Sequence, residues 1–222
     1  MRLLYNLLTY LLLIPFLGYW IVRGVGNRAY FTNLGQRFGF GIPVLRDSIW
    51  IHAVSVGEVQ AAVPLIRALS ERFPDRELLV TTVTPTGAER VRRLFGDTVH
   101  HAYLPFEFPH AVNAFFERVR PEVALVMETE IWPNLSRGCG VREIPLILVS
   151  ARISPKSVPG YRKLLPLIRE TLSHGIIIAS QSQDAADRFL SLGASPDRTF
   201  VIGNIKVDIR HDNDTIARGK EE

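Results

Sequence analysis

Gly175-Ile176-Ile177-Ile178-Ala179-Ser180 places apolar side chains at consecutive positions, so an extended segment here is apolar on both faces. Strands of that kind sit inside sheets covered on both sides by helices. Working outward, similar short runs recur at 48–54, 77–83, 99–104, 123–127, 145–150 and 200–202. The stretches between them, 58–73, 86–95, 109–119, 133–138, 156–173 and 183–192, read as helices. In the first, Val59, Val63, Ile66 and Leu69 fall on one face and Gln60, Arg67, Ser70 and Glu71 on the other. The alternation predicts an α/β fold, a Rossmann-like doubly wound parallel sheet occupying residues 48–209.

The chain has 222 residues, 47% of them hydrophobic and 22% charged, with a net charge of +4. That is enough side chain for a packed core and excludes a disordered or low-complexity protein. A single cysteine excludes a disulfide scaffold and a cysteine-built metal site, and a charge this mild does not imply nucleic acid. The six histidines fall at no ligand spacing, so neither a protein-built metal site nor a cofactor is expected.

Residues 3–22 carry no charge, and as one helix they would span roughly 30 Å, the thickness of a bilayer core. Pro15 and Gly18 are tolerated in such a helix, and Tyr19 and Trp20 suit an interfacial belt. No small-x-small cleavage site follows, so residues 1–23 read as an uncleaved membrane anchor rather than a signal peptide. Arg23, Arg28 and Arg37 downstream, against Arg2 upstream, orient the rest toward the cytoplasm. Residues 24–47 then form a connecting segment. Its Gly24-Val25-Gly26-Asn27-Arg28-Ala29 has the letters of a dinucleotide loop but lacks the preceding strand, and reads as a turn. At the other end, residues 210–222 form a polar tail or linker, in which Asp212-Asn213-Asp214 reads as solvated rather than as a metal site.

Ligands of open parallel sheets bind beyond the carboxyl ends of the strands, so the loops there are the places to look. Val54-Ser55-Val56-Gly57-Glu58 enters a helix directly, and Gly57 permits close backbone approach. Glu58 in the first helical turn either complements the helix dipole or opens onto a cleft as a base. Thr86, in Thr84-Pro85-Thr86-Gly87, is either a helix N-cap or a ligand contact. Met127-Glu128-Thr129-Glu130 ends an apolar strand in two acids, so at least one should line a polar cleft or meet a cation. Arg152 and its basic neighbours are a solvated face or a phosphate site. Lys206, beside Gly203, is a surface residue or a charge stabiliser.

Several motifs in order resemble one family: His52-Ala53-Val54-Ser55-Val56-Gly57-Glu58, Thr82-Val83-Thr84-Pro85-Thr86-Gly87, Tyr103-Leu104-Pro105, Met127-Glu128-Thr129-Glu130-Ile131-Trp132-Pro133-Asn134 and Gly203-Asn204-Ile205-Lys206-Val207-Asp208. The chain resembles the 3-deoxy-D-manno-octulosonic acid (Kdo) transferases of lipopolysaccharide biosynthesis, from the anchor to about residue 209. The resemblance implies the first of two facing Rossmann-like domains (the GT-B arrangement). It also implies inverting, metal-free transfer of Kdo from CMP-Kdo to a hydroxyl of the lipid A precursor (lipid IVA), on the cytoplasmic side of the inner membrane. Glu58 matches the family's general base, and Glu128 and Lys206 match positions of transition-state stabilisation. Ser55, Gly57, Thr86, Glu130 and Arg152 are weaker candidates for substrate contacts. Ser150 stands where the family has asparagine, and Gly138 and Gly140 interrupt a family helix. The family is about twice as long, so the chain alone is expected not to turn over. The competing reading is a catalytically silent, membrane-tethered module that binds lipid or protein. Another GT-B enzyme, such as a nucleotide-sugar epimerase, is a third.

Overall fold

Seven strands form one all-parallel sheet in the order β3-β2-β1-β4-β5-β6-β7 in the computed structural model, which describes residues 1–205. The strands are β1 (Ser48–His52), β2 (Leu78–Thr82), β3 (His100–Tyr103), β4 (Pro121–Met127), β5 (Leu146–Ala151), β6 (Ile177–Ser180) and β7 (Thr199–Val201). Nine α-helices accompany them among the described residues: α1 (Arg2–Leu11), α2 (Leu13–Gly26), α3 (Val56–Arg72), α4 (Pro85–Phe95), α5 (Pro109–Val119), α6 (Pro133–Gly140), α7 (Val158–Lys163), α8 (Leu165–Leu172) and α9 (Gln183–Ser191). The stretch 156–173 is therefore two helices rather than one. Pro166 removes an amide donor and disfavours helical geometry at Leu165, and the break falls at Leu164.

Side chains alternate across the pleat and build two cores. In β1, Trp50 faces a core with Val126, Phe115, Phe116 and Phe189, while Ile49 and Ile51 face one with Met127, Val59, Ile66 and Val91. The chain winds outward from β1 to β3, then returns to the middle for β4, so the connections diverge between β1 and β4. A crevice opens there at the strands' carboxyl ends.

The N-terminal residues depart from one straight helix. α1 and α2 meet at 45°, and no single described helix is long and apolar enough to cross a membrane; the bent pair passes that test only jointly. Pro15 lies in the first turn of α2, where it can neither donate to the carbonyl of Leu11 nor clear it, so the break falls at Leu12. Segment 24–47 is more than a connector. Ile42 and Leu45 join the core, the Gln36 side chain accepts from the Tyr103 amide at 2.9 Å, and the Phe106 amide donates to the Arg37 carbonyl at 2.8 Å. Arg37 is not a flanking surface charge. It is 1% exposed, stacked between Trp20 and Tyr103 at 4.2 Å from each ring, and donates to the Val83 carbonyl at 2.6 Å. Burial lowers its pKa to about 10, which leaves it charged at neutral pH. Gly24-Val25-Gly26 is not a turn but the end of α2; Asn27 caps it and a 3₁₀ turn follows at Arg28–Phe31, so the segment has no strand before it and is not a dinucleotide loop.

Candidate active site

β1 delivers the chain to Ser55, which stands in extended conformation at the N-cap of α3 and puts Glu58 in the first helical turn. The Glu58 carboxylate turns back on its own entry loop: it accepts from the Val54 amide at 2.9 Å and from the Ser55 hydroxyl at 3.2 Å. This is a capping-box arrangement displaced by one residue, and it fixes the carboxylate at the mouth of the crevice. Beneath it, His52 Nδ1 lies 2.9 Å from Thr81 Oγ1, and the Trp50 indole donates to the same oxygen at 2.8 Å. Burial lowers the His52 pKa to about 4, so this support is a neutral imidazole.

β4 supplies the other wall. Glu128 takes a left-handed backbone, φ 58°, costly for a residue with a β-carbon and characteristic of functional turns. Arg152, after β5, donates Nε and one terminal nitrogen to Glu128 Oε2 at 2.9 and 2.8 Å. Of the two acids, Glu128 thus meets a cation, and Glu130 lines the cleft. The Trp132 indole donates to Glu130 Oε2 at 2.6 Å. Burial raises the Glu130 pKa to about 7, against the lowering effect of the Trp132 hydrogen bond, and the charges of Glu58 and Glu128 add to the rise. Three carboxylates from β1–α3 and β4–α6 therefore converge at the sheet's point of divergence.

The cleft has a volume of about 570 Å³ and is lined by Glu58, Glu128, Glu130, Arg152, Tyr161 and Arg188, among others. Tyr161 and Arg188 escaped the sequence reading. Arg188 sits four residues after Asp184 and pairs with it at 3.6 Å, a pattern that reads as an ordinary helix-surface pair. Its second contact, a donation to the Ile153 carbonyl at 3.2 Å, crosses to another element and is visible only in space. Among the described residues no group of three or more His, Cys, Asp or Glu is arranged to hold a metal ion.

The remaining sequence candidates divide. Ser55 acts on Glu58 rather than lining the cleft, and Gly57 is exposed in the first turn of α3. Thr86 does not join them: it is exposed in a separate depression with Asn27, Glu89 and Arg92. Nor is it the cap of α4, because the Gly87 amide donates to Thr84 Oγ1 at 3.1 Å. Lys206 lies outside the described residues. Ser150 sits at a register irregularity in β5 with φ 54°, a conformation asparagine adopts more readily than serine, and its hydroxyl donates to Asn204 at 3.4 Å. The two α6 glycines are packing residues, since a β-carbon on Gly138 would lie 2.2 Å from the Phe116 ring and one on Gly140 2.9 Å from His174.

A second, apolar cavity of about 380 Å³ lies between α1–α2 and the loop 104–108; Trp132 lines it, and its indole bonds the cleft residue Glu130. Glu107 borders it, 8% exposed, and holds the N-terminus of α6. Its carboxylate accepts from the Asn134 amide at 2.7 Å, the Leu135 amide at 3.0 Å and the Tyr5 hydroxyl at 3.1 Å. Burial raises its pKa to about 7 although those three hydrogen bonds pull it down.

A parallel sheet that reverses its strand order at the centre, with an acid-lined crevice at that point, defines a Rossmann-like α/β unit. Solved structures agree. UDP-GlcNAc 2-epimerase from Neisseria meningitidis superposes with a TM-score of 0.52 at 15% identity, covering 71% of this chain and 47% of that one. A second UDP-N-acetylglucosamine 2-epimerase gives 0.51 at 15%, covering 72% and 48%. At such identity the likeness concerns the fold alone. The family model for 3-deoxy-D-manno-octulosonic-acid transferase (kdotransferase) matches residues 32–209, and the chain belongs to that family. It is 38% identical over 211 residues to the 3-deoxy-D-manno-octulosonic acid transferase of Haemophilus influenzae, covering 93% of this chain and 48% of that protein. To the Bordetella pertussis transferase it is 37% identical over 170 residues, covering 74% and 39%. The chain thus spans about half or less of the length of these curated relatives.

Proposed function

We propose that the chain is the acceptor-side half of a Kdo transferase, using Glu58 to activate a hydroxyl of the lipid A precursor for attack on CMP-Kdo. In that reaction the acceptor oxygen bonds to the anomeric carbon of Kdo from the face opposite CMP. The bond to the CMP phosphate breaks, CMP departs, and the hydroxyl proton passes to Glu58. Inversion follows from a single displacement. The observation that carries the reading is the convergence of Glu58, Glu128 and Glu130 at the β1/β4 crevice, with Glu58 fixed by Val54 and Ser55. Arg152, paired with Glu128, and Arg188 line the same cleft and suit the acidic groups of both substrates. The apolar cavity behind Trp132 suits an acyl chain of the acceptor. Lys206 offsets the charge of the leaving phosphate, and the nucleotide itself is held by the second domain of the longer family members. The N-terminal segment attaches the protein to the cytoplasmic face of the inner membrane.

A second reading has one observation in its favour. Glu130, with a pKa near 7, is better matched to proton transfer at neutral pH than an ordinary carboxylate. The test combines this chain with a family second domain and follows CMP release. Glu58→Gln should lower the rate roughly 10²–10⁴-fold, the usual worth of a positioned base. If Glu58→Gln is silent and Glu130→Gln is not, the base is Glu130. If no combination releases CMP, the silent tethered module is the better account.

A further inference from the structure

The first N-terminal helix, α1, is built inside out, whereas α2 buries Trp20 against Phe106 and Arg37. A surface helix ordinarily buries its apolar stripe and exposes its polar one. In α1 the residues turned toward the domain are polar: Arg2 bonds Glu170 at 2.7 Å, Tyr5 bonds Glu107 at 3.1 Å, Asn6 accepts from Asn134 at 2.9 Å, and the Tyr10 hydroxyl lies 2.9 Å from His110 Nδ1. The opposite stripe, Leu3, Leu4, Leu7, Leu8 and Leu11, is exposed and continues along α2 through Ile14, Ile21, Val22 and Val25. Leu3 is 86% exposed and Ile14 80%. Residues 1–46 contain five arginines and neither Asp nor Glu, and Arg23 and Arg28 at the end of α2 are exposed.

We infer that α1 and α2 lie in the plane of an anionic bilayer surface rather than across it: a two-helix strap with its leucine side in lipid and its polar side moored to the helix that follows the acidic loop. The charge of the segment and the continuity of its apolar stripe fit a lipid surface, and amphipathic helices bury such a stripe at the headgroup boundary. A crossing helix would have to leave its mooring. Tyr5 and Asn6 hold Glu107 and Asn134, which fix the first turn of α6 directly after Glu128-Thr129-Glu130, so the strap and the acidic loop share one joint. The 45° bend at Leu12 divides the segment into pieces of about 15 and 21 Å, each shorter than a bilayer core.

The inference rests on the membrane attachment proposed above but not on the transferase chemistry, which CMP release tests separately. The experiment uses the full chain with vesicles of phosphatidylglycerol and phosphatidylethanolamine. Co-sedimentation is expected, decreasing at least several-fold with Leu7→Asp. An Asn6→Cys/Asn134→Cys pair should form an internal disulfide on the membrane-bound protein, read on a non-reducing gel. Leu11→Trp, which leaves every mooring contact intact, should be quenched more by shallow-brominated than by deep-brominated lipids. Deeper quenching would overturn the in-plane arrangement in favour of a span. Absence of vesicle binding, or a dimer held together through the leucine stripe in lipid-free solution, would overturn the lipid surface itself.

Discussion

Glu107 and Glu130 are both held near pKa 7, yet for different purposes. Glu107 is buried, and its carboxylate contacts serve to moor α6 and α1. Glu130 faces a cleft, and the charges of Glu58 and Glu128 add to the effect of its burial. A raised carboxylate is therefore no signature of a site by itself. What separates the two is what surrounds the charge: amide donors that a helix end must satisfy in one case, other carboxylates around an open volume in the other.

Mutations sharpen that contrast, and the largest effect is expected at the mooring. Glu107→Ala strands two buried amides of α6 and a tyrosine hydroxyl, and should cost about 3–5 kcal/mol in denaturant unfolding of the chain. Glu130→Ala should be near neutral in the same assay, because it also relieves repulsion. Equal losses at the two sites would erase the distinction.

The pH dependence comes next. Both carboxyls sit above the ordinary 4.5, so the folded chain retains protons that the unfolded chain releases between pH 4.5 and 7. The corresponding stability is fully present below pH 4.5 and is lost as pH rises through 7, on the order of 3 kcal/mol for Glu107. Glu107→Gln should remove its share of this slope in a melting series and leave that of Glu130.

Smaller effects probe the two margins. Gly138→Ala, on the mooring helix, gains helix propensity but drives a methyl into Phe116, for a net loss of roughly 1–3 kcal/mol. On the cleft side, Arg152→Ala breaks the pair with Glu128 at a half-exposed site and should cost less than about 1 kcal/mol in stability. Its consequence should instead be seen as slower CMP release in the reconstituted enzyme.

Much of this was legible in the chain because parallel strands buried on both faces leave an unmistakable pattern. All seven strands fell where the apolar runs predicted, with ends shifted by a residue or two. Glu128 and Glu130 stood out because acids at the end of an apolar strand are costly unless used, and Glu58 because it opens a helix directly after a strand; the structure lines one cleft with all three. Thr86 was misplaced because Thr84, two residues earlier, satisfies the same capping geometry, and only the backbone decides between them. Glu107 was passed over: nothing in Phe106-Glu107-Phe108 announces that the amides it serves belong to a helix starting at Pro133.

Composition and periodicity alone determined the α/β class, the succession of strands and the acids at their ends, because each depends on neighbours a few positions away. The tertiary structure decided which acids share a crevice, which arginine answers Glu128, and that a leucine-rich segment turns its polar side inward. Those outcomes depend on groups brought together from distant parts of the chain, 24 residues apart for Arg152 and Glu128 and 102 for Tyr5 and Glu107, and local pattern carries no record of such meetings.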